Sequence, residues 1–343
     1  MKLILTILIC LNGLILPHPA PEQQEQASKL FPVAKNGKMG FIDRTGKVVI
    51  GFNFYYVNAF SEGLAAVIVE QDGKNGFIDT TGRMVIAPQF DWVHPFIEGL
   101  AKVRFKSRGD KEGYIDKSGN VVIEPRFEYA DNFGEGLAAV QFGGKWGFID
   151  QTGRFVIKPE FDFVERFSGG LAAVLSGDKV GYIDKTGRLA IPLKFESTVR
   201  PHNGRSLRSF SEGLAAVKIN NLFGFMDKTG TIVIQPQFQD VGNFSEGLAS
   251  STIDKRVGYI DKSGKMIIKT LFENGQEFSE GLAAVFVKDK WGYLDRNGKM
   301  VIKPVFSWGA RFSDGVARVL VDETEIGYVD KTGRYIWQPK SKL

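Results

Sequence analysis

Large aromatic side chains recur at one position of the sequence, two residues after a phenylalanine. The row comprises Tyr56, Trp92, Tyr129, Phe163 and, farther along the chain, Trp308. The matching places elsewhere hold Ser197, Asp240 and Asn274, so the fold does not require an aromatic residue there. Exposed rings at regular intervals can stack on sugar rings or cover apolar side chains of a peptide. The row predicts a binding platform, and the alternative is that the rings only cap the edges of structural layers.

A second candidate site is a cationic segment between Phe195 and Phe210. Its sequence, ESTVRPHNGRSLRS, carries Arg200, His202, Arg205 and Arg208 and no acidic residue after Glu196. Guanidinium groups bind phosphates and carboxylates through paired hydrogen bonds. The segment therefore suits an anionic group such as a phosphate, a uronic acid or an acidic partner, and the alternative is a solvated loop.

Candidates for catalysis or metal binding are sparse. The chain has three histidines, His18, His94 and His202, which are far apart in sequence, and one cysteine, Cys10. Metal sites and Ser/His/Asp triads need several such groups to converge. A glycosidase needs a pair of acids, and no spacing singles one out among Glu128, Asp162 and Glu165. We therefore expect no catalytic site, no metal site and no cofactor.

Nine aspartates, from Asp43 to Asp330, each stand three residues before a glycine, as in FIDRTGK and YLDRNGK. This pattern is typical of a type I turn closed by a glycine in the left-handed conformation. We expect each aspartate to accept backbone hydrogen bonds in its own turn rather than to bind calcium.

These turns belong to an internal repeat that must position the candidate residues. The glycine of the GFID element recurs at intervals of 34 to 43 residues, and a second element, EGLAAV, keeps the same period. The glycines are Gly40, Gly76, Gly113, Gly147, Gly181, Gly224, Gly258, Gly292 and Gly327. Short apolar runs without helical periodicity predict strands. The fold class is therefore all-β, a tandem array of nine three-stranded antiparallel meanders of about 36 residues.

The strands are apolar at both odd and even positions, so both faces of each small sheet need covering by a neighbour. Ala65, Ala66 and the GFID glycine allow sheets to approach closely, and phenylalanine pairs such as Phe90 and Phe96 can fill the gaps. Nine complete units, with no part of a unit left over at either end, favour an open β-superhelix. Closure into a β-propeller is the alternative.

The repeat unit KWGFIDQTGRFVIKPEFDFVERFSGGLAAV resembles the WG repeat family of bacterial proteins, and the resemblance extends over residues 30–339. The resemblance implies an all-β repeat array and no common reaction. The tryptophan of the family name is present only at Trp146 and Trp291, so the unit folds without it. The other units carry Met39, Asn75, Glu112, Val180, Phe223, Val257 and Ile326 at that place.

The N-terminus differs from the repeats. Lys2, an apolar run over residues 3–16 and two prolines predict an export signal in residues 1–20, although the residues around Ala20 do not fix where it is cleaved. The run is shorter than a membrane-spanning helix needs, so an uncleaved N-terminus is the only membrane contact that the sequence suggests. Residues 21–29 form a polar linker, residues 30–339 one repeat body, and residues 340–343 a basic tail.

The charge of the chain argues against nucleic acid as a partner, and its repeats favour a protein or peptide. A net charge of +5 with both signs mixed is too small for a nucleic-acid-binding protein. The sequence predicts an exported, non-enzymatic scaffold, secreted, periplasmic or at the cell surface, that binds a protein or peptide along its surface. The alternative is a glycan or cell-envelope binding module that uses the aromatic row, and a polysaccharide hydrolase is the weakest alternative.

Overall fold

The computed structural model describes residues 29–197, 207–321 and 326–338. Within these ranges the chain forms nine separate antiparallel sheets, arranged as the nine blades of a β-propeller. The N-terminal segment that carries the export prediction and the basic tail lie outside the described residues. Apart from one short 3₁₀ turn, Lys106–Arg108, the regular structure of the described residues is β.

The strands follow one another in chain order. Blade 1 contains β1 (Phe31–Lys35), β2 (Lys38–Ile42) and β3 (Val48–Phe54); blade 2, β4 (Tyr56–Val57), β5 (Leu64–Ile68), β6 (Asn75–Asp79) and β7 (Met84–Phe90); and blade 3, β8 (Trp92–Val93), β9 (Ala101–Phe105), β10 (Lys111–Ile115) and β11 (Val121–Phe127). Blade 4 contains β12 (Tyr129–Ala130), β13 (Ala138–Phe142), β14 (Lys145–Ile149) and β15 (Phe155–Phe161); blade 5, β16 (Phe163–Val164), β17 (Ala172–Ser176), β18 (Lys179–Ile183) and β19 (Leu189–Glu196); and blade 6, β20 (Leu214–Ile219), β21 (Leu222–Asp227) and β22 (Ile232–Phe238). Blade 7 contains β23 (Asp240–Val241), β24 (Leu248–Ile253), β25 (Arg256–Asp261) and β26 (Met266–Phe272); blade 8, β27 (Asn274–Gly275), β28 (Leu282–Val287), β29 (Lys290–Asp295) and β30 (Met300–Phe306); and blade 9, β31 (Trp308–Gly309), β32 (Val316–Leu320), β33 (Ile326–Asp330) and β34 (Tyr335–Trp337).

A complete blade has four strands, which we call a, b, c and d in chain order, so the prediction of three strands was wrong. The missed element is strand a, which is two residues long, as in Tyr56–Val57. It pairs with strand b through Tyr56 opposite Ile68 and Val57 opposite Val67. Two residues are too few to show an alternation of apolar and polar side chains, so the sequence did not reveal this strand. Blades 1 and 6 have three strands within the described residues.

The prediction of an open superhelix was also wrong, because blade 9 packs directly against blade 1. The hydroxyl of Tyr328 in blade 9 donates a hydrogen bond of 2.9 Å to the carbonyl oxygen of Pro32 in blade 1. One buried apolar cluster spans this junction, and it contains Val33, Ile42, Val316 and Tyr328. Closure needs no blade shared between the two ends, because blade 9 and blade 1 bury their apolar faces against each other directly.

The glycine of the GFID element has a different role from the predicted one. A bulge places extra residues of strand d beside strand c: Trp146 pairs with Phe161 and Phe148 with Ile157. A Cβ at Gly147 would lie 2.5 Å from the carbonyl oxygen of Ile157. The crowding therefore comes from the glycine's own blade and not from the adjacent sheet.

Buried rings join successive blades, as the pairing of phenylalanines predicted. Phe90 and Phe96 are buried in one cluster, and Phe96, from the turn after strand a, contacts Phe77 in strand c of the preceding blade. Eight such pairs within the described residues have ring centroids 4.7 to 5.0 Å apart. Aromatic pairs at this distance stabilise a core beyond the contribution of their buried area.

The size of the aromatic residue in strand c is complementary to the size of the residue that faces it in strand a of the next blade. A larger ring faces a smaller residue. Where strand c carries tyrosine, its hydroxyl donates to backbone of the next blade, as from Tyr259 to the Gln276 oxygen, and the facing residue is small. These pairs are Tyr114 with Ala130, Tyr259 with Gly275 and Tyr293 with Gly309. Where strand c carries phenylalanine, the facing residue is valine: Phe41 with Val57, Phe77 with Val93, Phe148 with Val164 and Phe225 with Val241. A Cβ at Gly275 would lie 2.6 Å from the Tyr259 hydroxyl, which explains the match. Tyr182 with Leu207, beside the cationic segment, is the exception.

A polar clasp also links the blades. Glu62 and Gly63 form a two-residue turn with φ of 50° and 85°, and a glutamate with positive φ costs about 1 kcal/mol or more. The Glu62 carboxylate accepts a hydrogen bond of 3.1 Å from the Gly99 nitrogen in the next blade and lies 3.1 Å from the Lys117 ammonium. The strained turn thus aims a carboxylate across the junction. At the closing junction Asp314 takes this place and pairs at 2.7 Å with Lys29.

The predicted aspartate turns are confirmed. In the first, the Asp43 carboxylate accepts hydrogen bonds from the backbone nitrogens of Thr45 and Lys47, and Gly46 has a φ of 86°. The same backbone bonds recur at Asp79, Asp116, Asp150, Asp184, Asp227, Asp261, Asp295 and Asp330.

Side-chain size shows which end of a blade lies near the axis of the ring. Strand b packs with fully buried alanines such as Ala65 and Ala66, whereas strand d carries larger residues and exposes Val49 and Val85. Blades that radiate from an axis separate with distance, so small residues belong near the axis. Strand d also contains prolines such as Pro159, which suit an edge. Strands a and b therefore line the central opening, and strand d forms the perimeter.

The bulge predicts that replacing two equivalent glycines by alanine causes different losses of stability. Gly147→Ala should lower the free energy of unfolding by about 1 to 3 kcal/mol, because the new methyl group has no space beside Ile157. Gly327→Ala is the matched control, since its nearest atom is 3.2 Å away. Denaturant unfolding measures both, and equal losses of stability would contradict the assigned role of the glycine.

The aspartate turns predict loss of stability in acid. The side-chain hydroxyl of Thr45 is the main cause that lowers the pKa of Asp43, and the hydroxyl two residues on acts in the same way at Asp79, Asp150, Asp184, Asp227 and Asp261. A carboxyl whose pKa is lower in the folded state stabilises the fold above its unfolded pKa, and this contribution disappears as the pH falls through the folded pKa. The melting temperature at constant ionic strength should fall steadily below about pH 4. A melting temperature that stays constant down to about pH 2 would contradict the stabilising role of the ionised turn aspartates.

Candidate binding surface at the inner strands

Because successive strands run in opposite directions, the connections between them lie alternately at the two faces of the ring. The turns from a to b and from c to d lie at one face, which we call the clasp face, because it carries Glu62 and Lys117. The turns from b to c and the links from d to the next strand a lie at the opposite face, which we call the loop face. The first residue of strand a follows such a link directly, so the aromatic row lies at the loop-face end of the central opening.

The structure leaves most rings of the row accessible. Tyr56, Trp92 and Tyr129 expose 48, 56 and 60% of their surface, and Trp308 exposes 38%. They begin strand a of blades 2, 3, 4 and 9. Since blade 9 adjoins blade 1, ring closure brings Trp308 to the same arc as Tyr56. We call Trp308, Tyr56, Trp92, Tyr129 and Phe163 the aromatic arc.

The members of the arc differ in their support. Trp92 lies beneath the guanidinium of Arg104, 5.5 Å from the ring centroid, and 6.4 Å from the His94 ring. Phe163 is only partly exposed, because it packs on Trp146 at 5.6 Å and on the buried cluster between blades 5 and 6. Phe163 thus packs at the edge of a layer, whereas Trp92 keeps an exposed ring beside a cation.

Ion pairs border the arc on its outer side. The residue before each ring is acidic in blades 3 to 5, and it pairs with the lysine that begins or precedes strand c of the preceding blade. Glu128 lies 3.3 Å from Lys111, and Asp162 lies 2.6 Å from Lys145. Asp91 pairs with Lys74 in the same way. Exposed rings with a charged border resemble the apolar centre and polar rim of a protein interface.

Of the cationic segment, the structure describes Arg208; Arg200, His202 and Arg205 lie outside the described residues. The Arg208 guanidinium pairs with Asp240 at 2.9 Å and lies over the Phe223 ring at 5.3 Å. Its charge is therefore already balanced by a carboxylate of the next blade. Ser197, on the other side of the segment, donates its backbone nitrogen to the Asp178 oxygen at 3.1 Å.

Other titratable groups near the arc serve the packing of blades 3 and 4. Glu112 is buried, accepts a hydrogen bond of 2.6 Å from the Ala130 nitrogen and lies 3.4 Å from the Lys102 ammonium. The His94 side chain is half-buried, which lowers its pKa, and the positive charge of Lys102 lowers this pKa further. Among the described residues, no three His, Cys, Asp or Glu side chains are grouped as metal ligands would be.

Sequence reasoning missed a polar sector of the inner wall. In blades 7 and 8 Asp240 and Asn274 replace the aromatic residues, and a cavity of about 400 Å³ opens beside them. The signal was present in LASSTI at residues 248–253, where the other repeats read LAAV or close variants. Ser250 and Thr252 come from this stretch and line the cavity.

In the ranges that the structure describes, no helix has the length and apolar character needed to cross a bilayer.

Comparison with protein families matches one family model, described as WG containing repeat. The matched stretches are residues 39–74, 76–107, 113–146, 146–179, 181–223, 223–250, 258–291 and 291–324. They cover most of the chain. A comparison with curated proteins finds no match.

Several solved structures are similar to this chain at low sequence identity. A crystal structure described as that of the eukaryotic initiation factor has a TM-score of 0.63 at 11% identity, over 90% of this chain and 95% of that chain. The dihydro-heme d1 dehydrogenase NirN has a TM-score of 0.44 at 12% identity, over 90% of this chain and 72% of that chain. Kluyveromyces lactis Hsv2p has a TM-score of 0.42 at 10% identity, over 79% and 90%. The first of these supports the overall fold and gives no information about activity.

Proposed function

The chain belongs to the WG containing repeat family, and we propose that it is an exported, non-enzymatic ring scaffold that binds a peptide segment of a protein partner at its loop face. The observation that carries this proposal is the aromatic arc. Trp92 and Tyr129 expose more than half of their surface in adjacent blades, although blades 7 and 8 fold with Asp240 and Asn274 in the same place. Exposed large rings that the fold does not need favour a role in binding.

The surroundings of the rings favour a peptide over a glycan. Trp92 and Tyr129 supply apolar area that loses little conformational entropy on binding. The border pairs, such as Lys111 with Glu128, offer both charge signs to the side chains of a peptide. An extended peptide that crosses several blades would contact several rings at once, so weak contacts add along its length. Sugar-ring stacking on Trp92 and Tyr129 is the alternative.

Export rests on the sequence of residues 1–20, with Lys2 before the apolar run. The scaffold then acts outside the cytoplasm of a bacterial cell, and its mature form should lack this segment. Mass spectrometry of the protein purified from its native compartment tests this, and an intact N-terminus in the cytoplasm would contradict it.

Peptide selection with matched variants tests the binding surface. Peptides selected from a random displayed library against the purified protein should bind at least about tenfold more weakly to the Trp92→Ala, Tyr129→Ala double variant, because buried rings of this kind dominate interface energies. Val122→Ala, Val156→Ala is the matched control, since each valine is 44% exposed in strand d at the perimeter. The melting temperature should change little in both variants.

Two results would contradict the proposal. One is that the double variant and the perimeter control bind the selected peptides equally well. The other is that no peptide is enriched while the protein is retained on cell-wall polysaccharide through Trp92 and Tyr129. The second result would support the glycan alternative.

A further inference from the structure

The polar sector of the inner wall contains a cavity that the aromatic arc does not explain. The cavity has a volume of about 400 Å³ and lies between strands a and b of blade 7 and strand a of blade 8, bordered by Arg208 and Arg311 from the blades on either side. Two glycines form part of its wall, and a side chain at either of them would displace a neighbouring hydroxyl group. A Cβ at Gly242 would lie 2.5 Å from the Ser250 hydroxyl oxygen, and one at Gly275 would lie 2.6 Å from the Tyr259 hydroxyl oxygen.

The wall is polar where blade 2 is apolar. Ser250 and Thr252 occupy the places that Ala66 and Ile68 hold in blade 2, as the strand pairings show. Replacing apolar residues by hydroxyls costs packing energy and gives nothing to the junction unless the hydroxyls find partners. Charged or amide side chains also occur at these places in other blades, as at Lys102, Gln141 and Arg318, but blade 7 carries hydroxyls at both places.

The charges of the cavity are balanced within the protein. Arg208 pairs with Asp240 at 2.9 Å, and Arg311 pairs with Glu277. Two cations and two carboxylates leave no net charge to attract an ion. A strongly charged ligand would have to break one of these pairs, whereas a neutral ligand can accept and donate hydrogen bonds beside them.

Several hydrogen-bonding groups of the wall have no side-chain partner among the described residues. They are the hydroxyls of Ser250 and Thr252 and the amide nitrogen of Asn274. Gln276 donates its amide nitrogen to the Gly309 oxygen at 3.0 Å, which fixes the side chain and leaves its oxygen as an acceptor. The Nε of Arg208 is buried and has no acceptor within the part of the chain that the structure describes. The wall thus offers donors and acceptors in comparable numbers.

We propose that this cavity binds a small neutral polyhydroxylated molecule, a monosaccharide or one unit of a longer sugar. Hydroxyl groups both donate and accept, so they match the mixed wall of Ser250, Thr252, Asn274 and Gln276. The volume lies within the range of small-molecule sites. The site is separate from the aromatic arc and does not depend on peptide binding there.

The test uses glucose, galactose and N-acetylglucosamine as probes, with binding to the full chain measured by calorimetry and by ligand-detected NMR. At least one probe should bind, and Ser250→Ala, Thr252→Ile should weaken it about tenfold by removing two hydrogen-bonding groups. Because blade 2 folds with Ala66 and Ile68 in these places, the variant should keep its melting temperature. Asn274→Ala, at an exposed strand end, should weaken the same probe and serves as the second variant.

The arc variant Trp92→Ala, Tyr129→Ala is the matched control and should bind the probe as the wild type does. Conversely, Ser250→Ala, Thr252→Ile should bind selected peptides normally, so failure of this site and failure of the peptide proposal give different results. The proposal is overturned if none of the three sugars binds at millimolar concentration. It is also overturned if binding depends on Trp92 and Tyr129 and not on Ser250, Thr252 and Asn274.

Discussion

The packing of each blade against the next is the interaction on which the structure depends. A blade is apolar on both faces, and its strand c ring, such as Phe77, is buried only when the next blade supplies Phe96. Both faces of every blade therefore need a neighbour. The end blades satisfy each other, because Tyr328 bonds to Pro32 and Val33 packs with Val316. Closure thus removes the two exposed apolar faces that an open array would keep.

The repeat itself could be predicted from the sequence, and its closure could not. Period, strands and aspartate turns follow from local signals such as Asp43 and Gly46, whose geometry depends on residues four places apart or fewer. Closure depends on contacts between residues almost three hundred positions apart, and these use the same residue types as the internal junctions. The size match between Tyr259 and Gly275 was also readable in principle, but it becomes visible only when the structure shows which strands face each other.

A candidate site could be predicted from the sequence where its residues differ strongly from the equivalent residues of the other repeats. Exposed rings such as Trp92 were predicted because the same position elsewhere is polar, and Phe163 proved to be partly buried because Trp146 lies beside it. The polar cavity was missed, since Ser250 and Thr252 look like mild substitutions in one strand. A nine-unit ring supplies many equivalent positions around one opening. The proposed functions use the few positions at which the units differ, with the rings on one side of the opening and the polar wall on the other.

Ring closure can be measured directly as a distance between spin labels on equivalent turn residues. After Cys10→Ser, cysteines at Arg44 and Lys331 place labels across the closing junction, and cysteines at Lys228 and Lys262 place them across an internal junction; all four residues are exposed. If the nine blades close, electron–electron double resonance should give the same distance distribution for both pairs. A markedly longer distance between positions 44 and 331 than between positions 228 and 262 would show that the array is open.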